Sequence, residues 1–211
     1  MAGFFVVVEG PEGSGKSTLA GALADRMRQQ GIEPVVVREP GSTPAAERVR
    51  EYFLDPGRKV DPAHEVILLT SARGDLVKNV IVPALDAGRV VLSDRYELST
   101  HAYQGAGRGV SPDVIRQHNE LATGGLRPDL TLVLDVPPEV GRSRQASASK
   151  VLDRMEREGP EFHARVAAAY LAAAGPGVRH LDGMLSPAEL ADAAWSILAT
   201  DRPALFGPVR G

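Results

Sequence analysis

The sequence contains no cysteine, no excess of basic residues and no long apolar run. Without cysteine the chain has no disulfide, thiol nucleophile or thiolate metal site, although this absence identifies no compartment. Its 24 basic and 27 acidic residues give a formal charge of -3, which argues against an extended nucleic-acid track. No apolar stretch approaches the roughly 18 residues of a membrane span, and no cationic segment precedes the first strand pattern. We therefore expect a cytoplasmic protein with neither nucleic acid nor a membrane among its partners.

The length and composition predict one domain. The chain has 211 residues, 43% of them hydrophobic, which suits one well-buried α/β domain rather than two. We assign this domain to residues 1–200, because the sequence shows no internal repeat and no linker. Residues 201–211 contain two Pro and two Gly, and they are predicted to form a loosely held tail.

Short β-branched runs alternate with helical patterns along the chain. This alternation predicts an α/β fold, with a five-stranded parallel sheet and helices on both of its faces. The runs are apolar almost throughout, as expected for strands that are covered on both faces. The predicted strands are Phe4 to Val8, Pro34 to Val37, Val90 to Ser93, Leu130 to Asp135 and Val178 to Leu181. The predicted helices are Thr18 to Gln30, Pro44 to Leu54, Pro62 to Ala87, Ser111 to Thr123, Pro138 to Gln145 and one starting at Ser186.

The segment after the first predicted strand fits the pattern G-x-x-x-x-G-K-[ST] and precedes a predicted helix. In this context backbone N–H groups surround the phosphates of a nucleotide, and the helix N-terminus adds positive charge. Lys16 adds a cation, Ser17 offers a hydroxyl to Mg²⁺, and Thr18 supports the loop. The alternative, a glycine-rich turn with a capping Ser, does not require strand, glycine spacing, lysine and hydroxyl together. The predicted ATP-binding residues are Gly10, Pro11, Glu12, Gly13, Ser14, Gly15, Lys16, Ser17 and Thr18.

Polar segments follow four of the predicted strands. They comprise Glu9 to Ser17, Arg38 to Gly41, Asp94 to Tyr96, and Asp135. Ligands of open α/β sheets bind beyond the carboxyl ends of the strands. We therefore expect these segments to converge on one cleft.

Small-molecule phosphotransfer is the class that remains among P-loop proteins. A switch GTPase would need an N-K-x-D segment, which the sequence lacks, and a motor or transport ATPase would usually be larger. Across about residues 3–198 the chain resembles the thymidylate kinases, nucleoside monophosphate kinases of the three-layer P-loop NTPase fold. The resemblance rests on the P-loop from Glu9 to Ser17, Arg38-Glu39-Pro40-Gly41, Ser71-Ala72-Arg73, Asp94-Arg95-Tyr96 with Ser99-Thr100, Ala102-Tyr103-Gln104-Gly105, Arg127-Pro128-Asp129-Leu130, Leu134-Asp135-Val136, and Leu152-Asp153-Arg154-Met155-Glu156 before Tyr170-Leu171.

The resemblance implies a homodimeric kinase that uses ATP and Mg²⁺ to convert dTMP to dTDP for dTTP synthesis. Such a transfer needs alignment and neutralised charge rather than a general base, because the acceptor phosphate is already largely dianionic near pH 7. Lys16 would hold the donor phosphates, and Arg95 resembles the family's acceptor-phosphate arginine. Asp94 ends an apolar run as a Walker B acid does, so Ser17 and Asp94 are the predicted metal residues. A surface arginine paired with an acid is the alternative for Arg95.

The resemblance also implies an acceptor pocket. Glu12 would meet the 3'-hydroxyl of the sugar, Tyr103 would exclude a 2'-hydroxyl, and Arg73 would approach the base and phosphate. Thr100 and Gln104 would lie at the base edge. Ordinary helix-surface positions are the alternative for Thr100, Tyr103 and Gln104. The predicted substrate-binding residues are Glu12, Glu39, Leu69, Arg73, Arg95, Thr100, Tyr103 and Gln104.

The segment 142–157 resembles the mobile lid that closes over ATP in this family. Its centre, from Ala146 to Ser149, lacks apolar periodicity, and Arg142, Lys150 and Arg157 belong to its positive charge. We expect one lid arginine to reach the transferring phosphoryl group. The predicted catalytic residues are Lys16, Arg95, Arg144 and Arg154.

Three features depart from the family pattern. Leu69 stands where a stacking Phe is frequent, which removes an aromatic stacking energy of roughly 0.5 to 1.5 kcal/mol. The lid centre lacks closely spaced arginines and differs slightly in length, and Gly41-Ser42-Thr43 replaces a double glycine. Two alternatives therefore stay open: a kinase of dUMP or a modified pyrimidine monophosphate, and an ATP-binding protein without turnover.

Overall fold

The computed structural model describes residues 3–147 and 152–207. Ala148 and Ser149 of the predicted lid centre, Lys150 next to it, and the last four positions of the predicted tail lie outside the described residues. The strands are Phe4–Glu9 (β1), Val35–Arg38 (β2), Val90–Asp94 (β3), Leu130–Asp135 (β4) and Val178–Asp182 (β5). The α-helices are Lys16–Gln29 (α1), Pro44–Leu54 (α2), Pro62–Leu76 (α3), Val82–Asp86 (α4), Glu97–Thr100 (α5), Pro112–Thr123 (α6), Pro138–Ser147 (α7), Pro160–Leu171 (α8), Pro187–Asp201 (α9) and Pro203–Phe206 (α10). Of the described helices, none is both long and apolar enough to cross a bilayer.

The five strands form one parallel sheet in the order β2-β3-β1-β4-β5. Strand β1 is central, with Phe4 opposite Val90 of β3 and Val6 opposite Leu130 of β4. The predicted five-stranded parallel sheet with helices on both faces is confirmed. Because β1 lies between β3 and β4, the loops after these three strands leave the same edge close together.

Alternate residues of β1 pack into opposite layers of the core, as the pleat of a strand requires. Val6 and Val8 belong to a cluster with α1 and α9, whereas Phe5 and Val7 pack towards α3 and α4 on the other face. A third cluster at the carboxyl edge of the sheet joins α2, α3 and α8. This cluster builds the wall of the site described below.

Two segments have π-helical hydrogen bonding, Val77–Ile81 and His101–Gly107. The first divides the predicted helix from Pro62 to Ala87 into α3 and α4, close to Pro83, which has no N–H to continue an α-helical ladder. The second continues α5 directly and carries several of the predicted pocket residues. Wide π turns of this kind are frequent at functional sites.

The expectation of a loosely held tail is wrong for its described part. Pro203–Phe206 forms a short helix, and the Phe206 side chain is 1% exposed. Its ring centroid lies 5.6 Å from that of Trp195 and 5.8 Å from that of Phe4. Pro203 starts this short helix and Gly207 follows it, while the Phe206 ring anchors the helix to the core.

Candidate active site

The P-loop joins β1 to α1 through a turn that needs its glycines. Gly10, Gly13 and Gly15 have φ angles of 147°, 71° and 95°, which L-residues with a Cβ rarely adopt. A Cβ on Gly13 would also lie 2.2 Å from the carbonyl oxygen of Gly141 in α7. The turn brings the N-terminus of α1, at Lys16, to the carboxyl edge of the sheet, where helix geometry favours an anion.

The Lys16 ammonium lies against the loop it belongs to. Its Nζ donates to the carbonyl oxygen of Pro11 at 2.7 Å and to Ser14 Oγ at 3.4 Å. Burial, together with the positive charge of Arg95, lowers the pKa of Lys16 to about 8. The ammonium group is therefore held at the place where phosphates would bind. Because its pKa is lowered, it loses its proton more easily than an exposed lysine does.

Ser17 and Asp94 meet at the junction of α1 and β3. Ser17 Oγ donates to Asp94 Oδ2 at 2.5 Å, although the residues are 77 positions apart. A hydroxyl and a carboxylate provide the hard oxygen ligands that Mg²⁺ prefers, next to a phosphate-binding loop. The chemistry of this pair fits the predicted metal site.

Arg95 has an unusual backbone conformation, with a φ of 75°. Neighbouring hydrogen bonds hold it: Arg95 N–H donates to the Val8 carbonyl at 3.0 Å, and Tyr96 N–H donates to Glu9 Oε1 at 2.8 Å. Burial raises the pKa of Glu9, although the charge of Arg95 opposes this rise. Left-handed non-glycine residues cost on the order of 1 to 3 kcal/mol and cluster at functional sites.

The Arg95 guanidinium links the P-loop to the opposite wall of the site. Its Nη2 donates to Glu12 Oε1 at 2.5 Å, and its carbon lies 5.1 Å from the Tyr103 ring centroid. Burial would lower the pKa of Arg95, but Glu12 raises it well above its ordinary value. The further acceptors of this guanidinium are Gly10 O at 3.2 Å, Ser99 Oγ at 3.0 Å, Tyr170 Oη at 3.1 Å and Tyr103 Oη at 3.2 Å.

One cavity of about 350 Å³ connects these groups. It runs from the P-loop to a pocket between α3 and the π-helical segment His101–Gly107. Three of the predicted P-loop residues are buried beneath the cavity: Gly10, Pro11 and Ser14. Asp135 was expected at the cleft, but it pairs with His180 on β5 at 2.9 Å. The predicted residues that line it are Glu12, Gly13, Gly15, Lys16, Ser17, Thr18, Glu39, Leu69, Arg73, Asp94, Arg95, Thr100, Tyr103 and Gln104.

Arg73 is buried in the acceptor wall and donates hydrogen bonds to several residues around it. Its Nε donates to Glu39 Oε2 at 2.7 Å and its Nη2 to Thr100 Oγ1 at 3.0 Å, while Nη1 contacts Asn119. The Glu39 and Arg73 side chains are 4% and 3% exposed. Burial raises the pKa of Glu39 to about 7, although Arg73 opposes this rise. The pair fixes the guanidinium that faces the cavity.

Tyr103 and Gln104 project from the π-helical segment and are buried, not on an exposed helix surface. The Tyr103 hydroxyl donates to Glu12 Oε1 at 3.1 Å, so it reaches the P-loop. Gln104 Nε2 donates to Glu65 Oε2 at 2.7 Å. Leu69 lines the same pocket and is 8% exposed.

Sequence reasoning did not assign Arg50, Ser99, Tyr170, Glu65 or Asn119 to the site. Arg50 lines the cavity and donates to the Pro40 carbonyl at 2.9 Å. It follows the buried Ala46 by four positions, so an arginine on the inner face of α2 was a usable signal. Ser99 and Tyr170 lie in segments that carry the resemblance, but the sequence assigned them no role. Glu65 and Asn119 belong to no motif, and only the tertiary fold brings them to the site.

The two predicted lid arginines lie in different places. Arg144 donates to Gly183 O at 3.0 Å and reaches the Gly13 carbonyl at 3.5 Å, beside the P-loop. Arg154 is 9% exposed, and its Nη1 donates to Glu65 Oε1 at 2.6 Å. The structure therefore does not bring Arg154 to the donor phosphates, because a buried carboxylate on the acceptor side holds its guanidinium.

Comparisons with known proteins agree on one family. Residues 8–190 match the model of the family described as Thymidylate kinase. A thymidylate kinase of Thermomicrobium roseum is 46% identical over 196 residues, 92% of this chain and 93% of the relative. Those of Ectopseudomonas mendocina and Pseudomonas fluorescens strain SBW25 are 49% and 51% identical, covering 85% and 83% of this chain and 86% and 85% of the relatives. The chain belongs to the thymidylate kinase family.

Proposed function

We propose that this chain transfers the γ-phosphoryl group of ATP to dTMP and forms dTDP. The observation that carries the proposal is the single cavity that joins the P-loop to the pocket of Leu69, Arg73 and Gln104, with Arg95 between them. A phosphotransferase needs donor and acceptor phosphates in one aligned space, and this cavity provides cations at both ends. Family membership and the high identity of the relatives support the same function.

The donor half of the reaction rests on the P-loop. Its N–H groups and the N-terminus of α1 would bind the β- and γ-phosphates, while Lys16 neutralises developing charge. Mg²⁺ would be held by Ser17 and Asp94, and when bound it neutralises the charge of the donor phosphates. Arg144, beside the Gly13 carbonyl, is the described lid arginine that lies nearest to this half.

The acceptor phosphate would be held by Arg95. In the present arrangement its guanidinium is paired with Glu12, and a phosphate can replace that carboxylate with a bidentate, charge-assisted contact. Glu12 is then available for the 3'-hydroxyl of the sugar. Arg50 lines the cavity beside Glu39 and Pro40 and supplies a second cation for the acceptor phosphate.

The acceptor base would pack against Leu69, with polar groups at its edge. Arg73 can only donate hydrogen bonds, so it favours the O4 acceptor of thymine over the amino group of cytosine. Tyr103 Oη lies next to Glu12, where it limits the room for a 2'-hydroxyl. An aliphatic Leu69 packs on the ring but supplies no offset stacking.

A coupled ADP-release assay tests this function, with Mg-ATP against dTMP, dUMP, dCMP, UMP and thymidine. We expect strong preference for dTMP, with thymidine inactive because it carries no phosphate for Arg95. Preferential turnover of another pyrimidine monophosphate would retain the kinase and reject the thymine assignment. ATP binding without any turnover would support a non-catalytic nucleotide-binding protein instead.

We also propose a homodimer that works in the cytoplasm without nucleic acid or membrane partners. Ile67 on α3 and Leu121 on α6 are 44% and 86% exposed, and these two helices pack against each other. Apolar side chains on adjacent helices suit a subunit interface. Light scattering after gel filtration tests it: we expect twice the chain mass, and a shift towards the monomer for Leu121→Lys.

A further inference from the structure

Glu65 is a fully buried carboxylate that lies behind the acceptor pocket. Its side chain is 0% exposed, and it is absent from the described lining of the cavity. Two side chains from distant parts of the chain donate hydrogen bonds to it, Gln104 Nε2 at 2.7 Å and Arg154 Nη1 at 2.6 Å. Arg108 forms an ion pair with it, its Nε lying 3.3 Å from Glu65 Oε1.

These contacts fix the direction of the Gln104 amide. A carboxylate can only accept hydrogen bonds, so the amide nitrogen of Gln104 must face Glu65. The guanidinium groups of Arg154 and Arg108 stabilise the negative charge that keeps Glu65 an acceptor. The amide oxygen, Gln104 Oε1, is then turned away from Glu65, and it is buried without a hydrogen-bond partner among residues 3–147 and 152–207.

Gln104 lines the acceptor pocket, so its unpartnered oxygen is available to a donor on the ligand. Thymine and uracil carry an N–H at ring position 3, whereas the same position of cytosine is an acceptor. A buried acceptor oxygen accepts from the first two and meets an unfavourable acceptor in the third. The observed direction of the Gln104 amide therefore favours thymine and uracil over cytosine.

We propose that Glu65 is a positioning residue for base selection, which acts through Gln104 by holding its amide with the oxygen towards the base. This inference rests on the proposed kinase function. Replacing Glu65 by Gln would supply both an acceptor and a donor at this point, so the Gln104 amide could take either direction. In the reversed direction the amide nitrogen would face the base and suit the ring nitrogen of cytosine.

The test compares kcat/KM for dUMP and dCMP, which differ only at ring positions 3 and 4. We expect a dUMP preference of at least about a hundredfold for the unmodified chain. Glu65→Gln should reduce this preference by about tenfold or more, and so should Gln104→Leu. In the Gln104→Leu background, Glu65→Gln should cause no further loss, because the amide through which Glu65 acts is gone.

Glu158→Gln is the matched control. Glu158 Oε1 pairs with Arg108 at 2.8 Å, so this variant removes a carboxylate from the same arginine without touching Gln104. Its dUMP preference should match that of the unmodified chain. Melting temperature and ATP affinity, measured for every variant, separate loss of folding from loss of selectivity.

Additive losses in the double variant, or an equal loss for Glu158→Gln, would overturn the proposal in favour of a general structural role for Glu65. If Glu65→Gln does not fold, the Gln104→Leu variant still tests the proposal. An unchanged preference for dUMP over dCMP in that variant would refute the role of the Gln104 amide in base selection. Absence of turnover with every pyrimidine monophosphate would instead reject the proposed function itself.

Discussion

The most direct consequence of the site's electrostatics is a loss of ATP affinity at alkaline pH. Burial lowers the pKa of Lys16 to about 8 in the free protein. Bound phosphates require the charged ammonium, so they raise this pKa again. Because the pKa is depressed only in the free protein, affinity is highest below pH 8 and falls as the pH rises above it.

The size of the effect follows from the fraction of protonated Lys16. With a pKa near 8, about nine tenths of the free protein is protonated at pH 7 and about one tenth at pH 9, a tenfold difference in affinity or about 1.4 kcal/mol. Proton uptake on binding should rise from about 0.1 to about 0.9 per ATP over the same range. The γ-phosphate titrates near pH 6, below this window. Burial raises the pKa of Tyr103 above its ordinary value, so this phenol does not contribute.

Isothermal titration calorimetry with ATP from about pH 7.5 to 9.5, in two buffers of different ionisation enthalpy, measures both quantities. Lys16→Arg is the control, since its guanidinium stays charged throughout and its affinity, though weaker at neutral pH, should change little. A flat affinity for the unmodified chain would refute the reasoning. So would a tenfold fall in Lys16→Arg, because another group would then be titrating.

Three substitutions test other parts of the structure. Arg95→Lys keeps a charge but loses the bidentate grip, so kcat should fall by about a hundredfold or more with little change in ATP affinity; unchanged kcat in steady-state assays would remove Arg95 from the transfer step. Phe206→Ala should lower the free energy of unfolding by about 3 to 5 kcal/mol in urea titrations, and a loss below about 1 kcal/mol would contradict its burial. Ser186→Ala removes the capping box of α9 and should cost about 1 kcal/mol, more than Ser196→Ala on the exposed face of the same helix.

Much of the fold followed from local patterns. The predicted strand from Leu130 to Asp135 and the predicted helix from Pro44 to Leu54 have the observed bounds, because apolar runs and helix-start signals are local. Helix α8 was not predicted, although Pro160 and the spacing of Phe162, Val166 and Tyr170 indicate an inward-facing helix. The strand order was not predicted either, since it depends on packing between distant elements.

The residues of the site also divide into those that a local sequence pattern marks and those that only packing between distant elements brings together. The P-loop and the Asp94-Arg95 pair were predictable because a motif and a strand end mark them, and the carboxyl ends of β1, β2 and β3 do meet at one cavity. Glu65 was not predictable, because its partner Arg154 is 89 positions away and Glu65 itself belongs to no motif. Arg154 was read as a lid cation, since sequence cannot show that a buried acid holds it.

The P-loop also positions the start of the predicted lid, through a contact that its motif does not reveal. A Cβ on Gly13 would lie 2.2 Å from Gly141 O, and a Cβ on Gly141 would lie 2.4 Å from Glu12 O. The two glycines therefore let the backbones of the loop and of α7 touch, so the position of α7 depends on the phosphate-binding loop itself. Arg144, one turn further along α7, is thereby placed beside the Gly13 carbonyl. A cation thus reaches the donor end from helix α7, which explains how a lid centre poor in arginine is compatible with the proposed transfer.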